Sequence, residues 1–237
     1  MAGTSHPDNV RGRATRSPGQ SPMGILRAYR GILGDIPISL SALRRISKTV
    51  VLKSFNRADY RRWTNPASFE GWWETRTQKV AALIPKGSRV IEFGAGSRWL
   101  ESYLDPHCSY IPSDLVDRGP GTIICDLNQR PLPDLRSIQP DVAVFIGVLE
   151  YIKDLPFLVE WLSQQVSLCV ASYDYATTRP ETLRRALEVL HRAYNGYMST
   201  YSEDELVELF NRWGFSCVQK DTWNDQRLFL FGKNHRG

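Results

Sequence analysis

A glycine-containing turn directly after an apolar run is the feature that most constrains this chain of 237 residues. Residues 90–93 are apolar except for Glu92, and Gly94 and Gly96 follow them. The run predicts a buried strand, and the two glycines permit a tight turn and the close approach of backbone to a ligand. A helix predicted from about Arg98 would direct its first amides at that ligand. The segment is typical of a nucleotide-binding loop, and an ordinary strand-to-helix turn is an equal alternative.

Three further predicted strands end in an acid or a glycine. The segments and their final residues are 109–114 with Asp114, 121–126 with Asp126 and 141–147 with Gly147. The last segment is apolar on both faces, which is typical of a parallel strand between two layers of helices. Ligands of such sheets bind at the carboxyl ends of the strands. We therefore expect these strand ends to meet the glycine loop in one crevice.

The order and spacing of these motifs resemble the class I S-adenosylmethionine-dependent methyltransferases over about residues 80–232. The resemblance implies an α/β fold with a seven-stranded, mostly parallel, doubly wound Rossmann-like sheet, an antiparallel last strand and an N-terminal helical extension. The predicted strands 215–223 and 227–231 fit the terminal antiparallel pair of that fold. The resemblance also implies that the cofactor is S-adenosylmethionine.

In that family each motif holds one part of the cofactor. The resemblance implies that the glycine loop holds the amino acid part, that the acid ending the second strand bonds the ribose hydroxyls, and that the acid after the third strand meets the adenine. It also implies that an arginine before the first strand pairs with the cofactor carboxylate. The expected cofactor-binding residues are Arg76, Glu92, Gly94, Gly96, Asp114, Leu115, Asp126, Leu127 and Gly147. The segment 146–154 resembles the family's Val-Leu-Glu-His segment, with Tyr151 in place of the histidine.

A dinucleotide dehydrogenase is the nearest alternative for this loop, because it also combines glycines with a ribose-binding acid about twenty residues further on. Asp114 fits both families, but Trp99 stands where the dehydrogenase loop has its third glycine. Glu92, which precedes the loop, favours the methyltransferase. A strand-terminal acid can also merely cap the following segment, and for Asp126 that alternative stays open beside adenine contact.

Positive charge is concentrated at the start of the chain. Residues 1–62 contain twelve Lys or Arg against three acids, and the rest of the chain contains 18 against 22. The low apolar content of residues 1–22 predicts a disordered basic leader. Apolar residues at helical spacing then predict a helical N-terminal cap over residues 23–76, followed by a methyltransferase domain over residues 77–237.

The basic helices predicted within residues 25–33 and 40–51 have three candidate roles. The favoured role is a cap over the cofactor crevice. The second is peripheral contact with an anionic membrane, to which basic amphipathic helices bind. The third is attraction to nucleic acid, which is the least favoured because no RNA-binding motif accompanies the basic residues.

The composition also bears on the compartment and on metals. No apolar stretch approaches the ~20 residues that a membrane span needs, and the N-terminus lacks the apolar core of a signal peptide. The four cysteines lack the spacing of metal ligands and are interpreted as reduced thiols. These observations predict a cytoplasmic protein without a metal site.

Methyl transfer is an in-line displacement, so the protein must mainly align the acceptor with the methyl group and exclude water. An alcohol acceptor also needs a base, and the candidate catalytic residues are Asp174, His191 and Tyr151. Histidine has the most suitable ordinary pKa, although a lone histidine in a polar helix is more often a surface residue. The polar stretch over residues 174–201 is expected to form the acceptor wall.

The acceptor is the least constrained part of the prediction. The family's Asn-Pro-Pro-Tyr motif is absent after the fourth strand, which disfavours methylation of amino groups on bases or glutamine. Methylation of an oxygen on a small molecule or a saccharide is therefore expected. The alternatives are a non-catalytic protein that binds S-adenosylmethionine and a methyltransferase acting on RNA or protein.

Overall fold

A computed structural model describes residues 39–177 and 183–234, and the chain forms one seven-stranded sheet there. The strands are β1 Arg89–Phe93, β2 Ser109–Asp114, β3 Ile123–Ile124, β4 Val142–Phe145, β5 Leu168–Tyr173, β6 Phe215–Trp223 and β7 Gln226–Lys233. Their order across the sheet is β3-β2-β1-β4-β5-β7-β6, and β7 runs antiparallel to both of its neighbours. The predicted fold class is thus confirmed. The predicted leader over residues 1–22 and the helix within residues 25–33 lie outside the described residues.

The helices that the structure describes connect these strands or precede the sheet. They are α1 Leu40–Ser54, α2 Tyr60–Trp63, α3 Glu74–Ala81, α4 Trp99–Tyr103, α5 Leu155–Ser163, α6 Leu183–Asn195 and α7 Glu203–Arg212. Short 3₁₀ turns span Pro66–Ser68, Gly71–Trp73 and Leu149–Tyr151. None of the described helices is both long enough and apolar enough to cross a membrane.

Apolar side chains cover both faces of the sheet, as a doubly wound fold requires. On one face, Phe93 and Phe145 are buried with residues of α5 and α7. On the other face, Val142 and Val144 are buried with residues of α3 and α4. All four residues of β4 are buried because neighbouring side chains along this central strand enter opposite layers.

Local signals in the sequence explain several element boundaries. At the start of α7, Ser202 and Glu205 form a capping box, in which each side chain bonds to the backbone of the other residue. β3 is shorter than the predicted strand over residues 121–126, because Gly119 and Gly121 adopt positive φ angles and turn the chain before it. The sheet therefore ends in a two-residue edge strand beside β2.

The segment between β5 and α7 differs from the prediction of a long polar insert. It contains α6, which packs along α1, and Arg45 of α1 lies 4.9 Å from the ring centroid of Tyr194. The buried side of α6 includes two charged residues, Glu188 and Arg192. Glu188 accepts a hydrogen bond from Thr177 N at 2.7 Å. Because two of its buried residues are charged, the sequence of this segment resembled a solvent-exposed polar insert.

Candidate functional site

A cavity of about 400 Å³ opens at the carboxyl ends of β1, β2, β4 and β5. Its walls combine these strand ends with residues from the segments before β1 and after β5. All of the predicted site residues line this cavity except His191. Its volume is within the range of small-molecule and cofactor sites, about 300–1,000 Å³.

The glycine loop after β1 lies across the end of β2. Gly94 N and Ala95 N donate to Ser113 O at 2.8 and 3.0 Å. Gly94 has a φ of +72°, and a Cβ atom at this position would lie 2.5 Å from Val148 Cγ2. The position therefore requires glycine both for its backbone conformation and for the close approach of the segment after β4.

Asp114 joins the glycine loop to the turn that follows β2. Its Oδ2 accepts from Gly96 N at 2.8 Å, and its Oδ1 accepts from Leu115 N at 2.6 Å. Arg118, whose side chain is 9% exposed, forms an ion pair with the same carboxylate, with Nε 3.2 Å from Oδ2. Arg118 further donates to Trp63 O and so ties the segment before β1 to this acid. Sequence analysis did not identify Arg118.

Asp126 lies at the turn after β3 and has contacts of two kinds. Its Oδ1 accepts from Asn128 N at 2.9 Å, which is the capping contact that the sequence left open. Tyr60 lies close to this carboxylate, and burial followed by the charge of Asp126 raises the pKa of Tyr60. Oδ2 has no partner among the described residues. Asp126 and Leu127 both line the cavity, so capping and ligand contact are compatible at this acid.

Glu92 is buried at the base of the glycine loop. The Tyr110 hydroxyl donates to Glu92 Oε2 at 2.5 Å, and this bond joins β1 to β2. Burial raises the pKa of Glu92 to about 8, because an ionised carboxylate is poorly solvated there. Glu92 is therefore mostly protonated at neutral pH.

Arg76 enters the cavity from α3 and is only 6% exposed. Its Nη1 donates to Gln226 Oε1 at 2.9 Å, and its guanidinium lies over the rings of Trp73 and Trp223. Nε has no partner among the described residues. A Cβ atom on Gly147 would lie 2.7 Å from Nη1, so the guanidinium rests against backbone that only glycine leaves open.

Glu150 is a second buried group with an unused polar atom. Its Oε1 accepts from Asp174 N at 2.7 Å, and its Oε2 has no partner among the described residues. Arg76 and Glu150 are close enough to influence each other electrostatically, but no ion pair within 4.0 Å joins them in the described part of the chain. Burial raises the pKa of Glu150 and lowers that of Arg76. A ligand that carries both charges could compensate both groups.

Asp174 lies at the end of β5, on the opposite side of the cavity from Asp114 in strand order. Its Oδ1 is 3.5 Å from Arg192 Nη1, and the Tyr197 phenol lies close enough for the charge of Asp174 to act on it. Burial raises the pKa of Tyr197 and of Tyr151, so both phenols are protonated and can donate hydrogen bonds. The rings of these two tyrosines meet edge to face at 5.3 Å. This side of the cavity thus combines one carboxylate with aromatic walls.

His191 lies on α6, outside the residues that line the cavity. Its Nε2 is 3.4 Å from Asn195 Nδ2, one helical turn further on. The next residue, Arg192, is 3% exposed and donates to Ser199 O at 3.1 Å. The helix therefore turns Arg192 towards Asp174 and leaves His191 away from the cavity.

Residues of the aromatic and basic segment before α3 also line the cavity. Arg62 Nη1 donates to Asn195 O at 2.8 Å, and its guanidinium lies 4.3 Å from the ring centroid of Trp63. Trp63 in turn contacts Phe69 and Tyr151 through its ring. The dense aromatic and basic composition of this segment is a signal for a binding wall. It does not identify which rings meet.

The comparison with known families identifies the family of the chain. A family model described as "Methyltransferase domain" matches residues 55–220, which is more than half of the chain. The chain belongs to this methyltransferase family. A search among curated proteins found no match. No group of three or more His, Cys, Asp or Glu residues in the described part of this methyltransferase could hold a metal ion.

Solved structures share the fold at low sequence identity. Human N-acetylserotonin methyltransferase, in complex with S-adenosylmethionine, has a TM-score of 0.59 and 15% identity, covering 85% of this chain and 68% of that chain. The mitomycin 7-O-methyltransferase has a TM-score of 0.58 and 15% identity, covering 90% and 72%. The pyocyanin biosynthetic protein PhzM has a TM-score of 0.51 and 13% identity, covering 67% and 54%. The chain thus spans about half the length of PhzM.

The expected family, fold class and cofactor are confirmed. The chain is an S-adenosylmethionine-dependent methyltransferase with a Rossmann-like sheet. The third glycine of a dehydrogenase loop is replaced by Trp99, which begins α4 and lines the cavity.

Proposed function

We propose that this methyltransferase acts on an oxygen atom of a small molecule or a saccharide. The observation that carries the proposal is that the carboxylate of Asp174 lines the same cavity as the glycine loop. A base beside the methyl donor is what an alcohol acceptor needs. The fold similarity to the mitomycin 7-O-methyltransferase is in keeping with this chemistry.

The residues present fit S-adenosylmethionine, which supplies the electrophilic methyl group. Asp114 would accept hydrogen bonds from the ribose hydroxyls, and Asp126 with Leu127 would meet the adenine. Gly94, Gly96 and Gly147 leave backbone exposed where the chain must approach the cofactor closely. Leu115 and Glu92 would support this side of the site.

We further propose that Arg76 and Glu150 hold the two charges of the cofactor's amino acid end. Arg76 would bind the carboxylate and Glu150 the ammonium group. Both side chains are buried, and each has an atom without a partner among the described residues. Binding would supply the missing partners, and a hydrogen bond to a charged group contributes about 1.5–3 kcal/mol.

Two adenosine ligands test this assignment by calorimetry. S-adenosylhomocysteine carries the amino acid end, whereas 5′-methylthioadenosine lacks it. Glu150→Gln should weaken binding of the first by about tenfold or more and leave binding of the second unchanged. Glu101→Gln, on the exposed side of α4, is the control. Equal weakening of both ligands would mean that Glu150 acts only through the fold.

On the acceptor side, Asp174 would take the proton of the acceptor hydroxyl as the new bond forms. Arg192 and Tyr197 fix the position of its carboxylate through the contacts described above. The Tyr151 phenol can donate a hydrogen bond to the acceptor, and the surrounding rings can exclude water from the reacting atoms. Because His191 does not line the cavity, we assign it no direct role.

Transfer of label from methyl-labelled S-adenosylmethionine tests the function. The purified protein should label small molecules in a deproteinised, RNA-free extract, and the label should be found on oxygen. Labelling confined to the RNA or protein fraction would contradict the proposal. Cofactor binding without any transfer would favour a binding protein.

The division of the chain into domains and its location in the cell are also proposed. We propose that residues 23–76 form a cap, because the described part of this segment contributes Ala58, Trp63 and Phe69 to the cavity wall. Residues 77–237 would form the methyltransferase domain. The four cysteines are free thiols, which is usual in reducing compartments and is in keeping with a cytoplasmic location.

A further inference from the structure

Helix α1 carries an exposed apolar strip on the face that points away from the rest of the fold. Its members are Leu40 at 75% exposure, Leu43 at 60%, Val50 at 54%, Val51 at 53% and Phe55, just after the helix, at 71%. At 100° per residue these positions fall within an arc of about 140°. The opposite face contains the buried Ala42 and Thr49. Exposed apolar patches of this kind mark interaction sites.

Basic residues lie within and beside the strip. The helix contains Arg44, Arg45, Lys48 and Lys53 and no acid. Lys48 forms an ion pair with Asp59 at 2.6 Å. Lys53 lies near Lys153, and its pKa is lowered by burial and then by that like charge. An anionic partner would relieve this repulsion.

We propose that α1 lies on an anionic lipid membrane, with the apolar strip at the boundary between headgroups and acyl chains. Basic amphipathic helices bind membranes in this orientation. The Lys and Arg stems can cover apolar surface while their charged ends reach the headgroups. Each such charge near an anionic surface strengthens binding about fivefold.

The charge of the chain favours lipid over two other occupants of the strip. Residues 1–38 directly precede the helix and contain five Arg against two acids, so they offer no complementary charge. A second copy of the chain would bring one basic helix against another. An anionic lipid surface satisfies both the apolar and the basic groups.

The helix is fixed to the wall of the cavity. Asn56 Nδ2 donates to Asn128 O, and Gln129 Nε2 donates to Asn56 O. Ala58, Asp59 and Asn128 line the cavity. A membrane-bound α1 would therefore hold this wall close to the lipid surface. The inference does not depend on which atom accepts the methyl group.

Co-sedimentation of the full chain with phosphatidylcholine vesicles, with and without phosphatidylglycerol, tests the proposal. The protein should bind only the anionic vesicles, and added salt should weaken binding. The double variant Leu43→Glu, Val50→Glu should reduce the partition coefficient by tenfold or more. Lys53→Gln should reduce it by about fivefold.

Matched controls carry the same changes elsewhere. Val218→Glu alters another exposed valine, on β6, and Lys86→Gln alters an exposed lysine before β1. Both should bind anionic vesicles like the unaltered protein. Equal binding by all variants, or no binding by the unaltered protein, would overturn the proposal.

Two measurements without vesicles test whether the strip is covered by the chain itself or by a second copy. If the double variant lowered the melting temperature strongly, the strip would be covered by the chain itself. If the unaltered protein were a dimer and the variant a monomer, the strip would bind a second copy. Either result would also overturn the proposal, because a lipid-binding strip is free in solution.

Discussion

The proposed cofactor side of the cavity is formed largely by neighbouring strand ends, whereas the proposed acceptor side depends on the helix and loop that follow β5. On the cofactor side, Asp114 bonds to the glycine loop through backbone amides of adjacent strands and turns. On the acceptor side, Asp174 depends on Arg192, which lies on α6, and on Tyr197, which follows that helix. The first arrangement follows from sheet topology. The second depends on side-chain packing and can change without altering the sheet.

The largest expected effect is on methyl transfer, and it distinguishes the acceptor side of the cavity from the cofactor side. Asp174→Asn should lower methyl transfer by about 10²–10⁴-fold, because a positioned base is lost. Its affinity for S-adenosylhomocysteine should stay unchanged. His191→Ala, a change on the adjacent helix outside the cavity, should retain most of the activity. Steady-state rates and calorimetry on both variants provide the check, and full activity of Asp174→Asn would show that transfer relies on alignment alone.

The second effect is expected on the cofactor side, at Gly147. Gly147→Ala places a Cβ atom within 2.7 Å of Arg76 Nη1 and also strains a backbone with φ of +65°. Displacement of Arg76 should weaken S-adenosylhomocysteine binding by up to about 100-fold, since a charged hydrogen bond is lost. Gly87→Ala is the control, because Gly87 has a φ of +72° but open space around it. Similar losses in both variants would point to backbone strain instead.

A smaller effect is expected at Asp114. Asp114→Asn keeps the shape of the side chain but removes its charge, so cofactor affinity should fall about tenfold, within the 1–3 kcal/mol of an unsatisfied buried group. Asp117→Asn, three residues away, should bind the cofactor normally. Calorimetry with S-adenosylhomocysteine distinguishes them. An unchanged affinity in a folded Asp114 variant would remove this acid from the proposed site.

The next prediction concerns stability and pH. Glu92 has a pKa of about 8 in the fold against an ordinary value of 4.5, so the folded state binds a proton there that the unfolded state releases. The free energy of unfolding should therefore fall as pH rises from about 4.5 to about 8. Glu92→Gln stays neutral and should reduce this fall by a few kcal/mol. Urea unfolding of both proteins across this range provides the measurement, with Glu208→Gln, an exposed carboxylate on α7, as the control.

The smallest effect is expected outside both sides of the cavity. Removal of residues 1–22 should leave the melting temperature and the cofactor affinity unchanged, because these residues offer few apolar groups to bury. Thermal unfolding and calorimetry on the shortened chain would show this. A large loss of either property would place the leader in the folded structure.

The sequence predicted which strand ends line the cavity, because strand ends carry local signals. The apolar run of β4 and the glycines after β1 are recognisable without any distant contact. The sheet then brings their ends together by topology alone. Arg118 was missed since nothing local indicates that an arginine four residues after Asp114 returns to it.

The acceptor side was predicted less well for a related reason. Both His191 and Arg192 lie in a polar stretch, and only the packing of α6 decides which of them is buried. The helix has an apolar face, but Val189 and Leu190 on that face are exposed, whereas the charged Glu188 and Arg192 are buried. Apolar periodicity, which normally marks the buried side of a helix, therefore indicates the wrong side here. The resemblance in the sequence concerned the cofactor, so it could not identify the aromatic residues that surround the acceptor.

The position of β7 has a consequence for folding during synthesis. Gln226, at the start of this strand, supplies the partner of Arg76, and the two residues are 150 positions apart. β7 also pairs between β5 and β6, so β6 has no place in the sheet until β7 has been made. Domains fold as their residues leave the ribosome. A nascent chain that stops before β7 should therefore be unable to retain the methyl donor, however completely its earlier strands have formed.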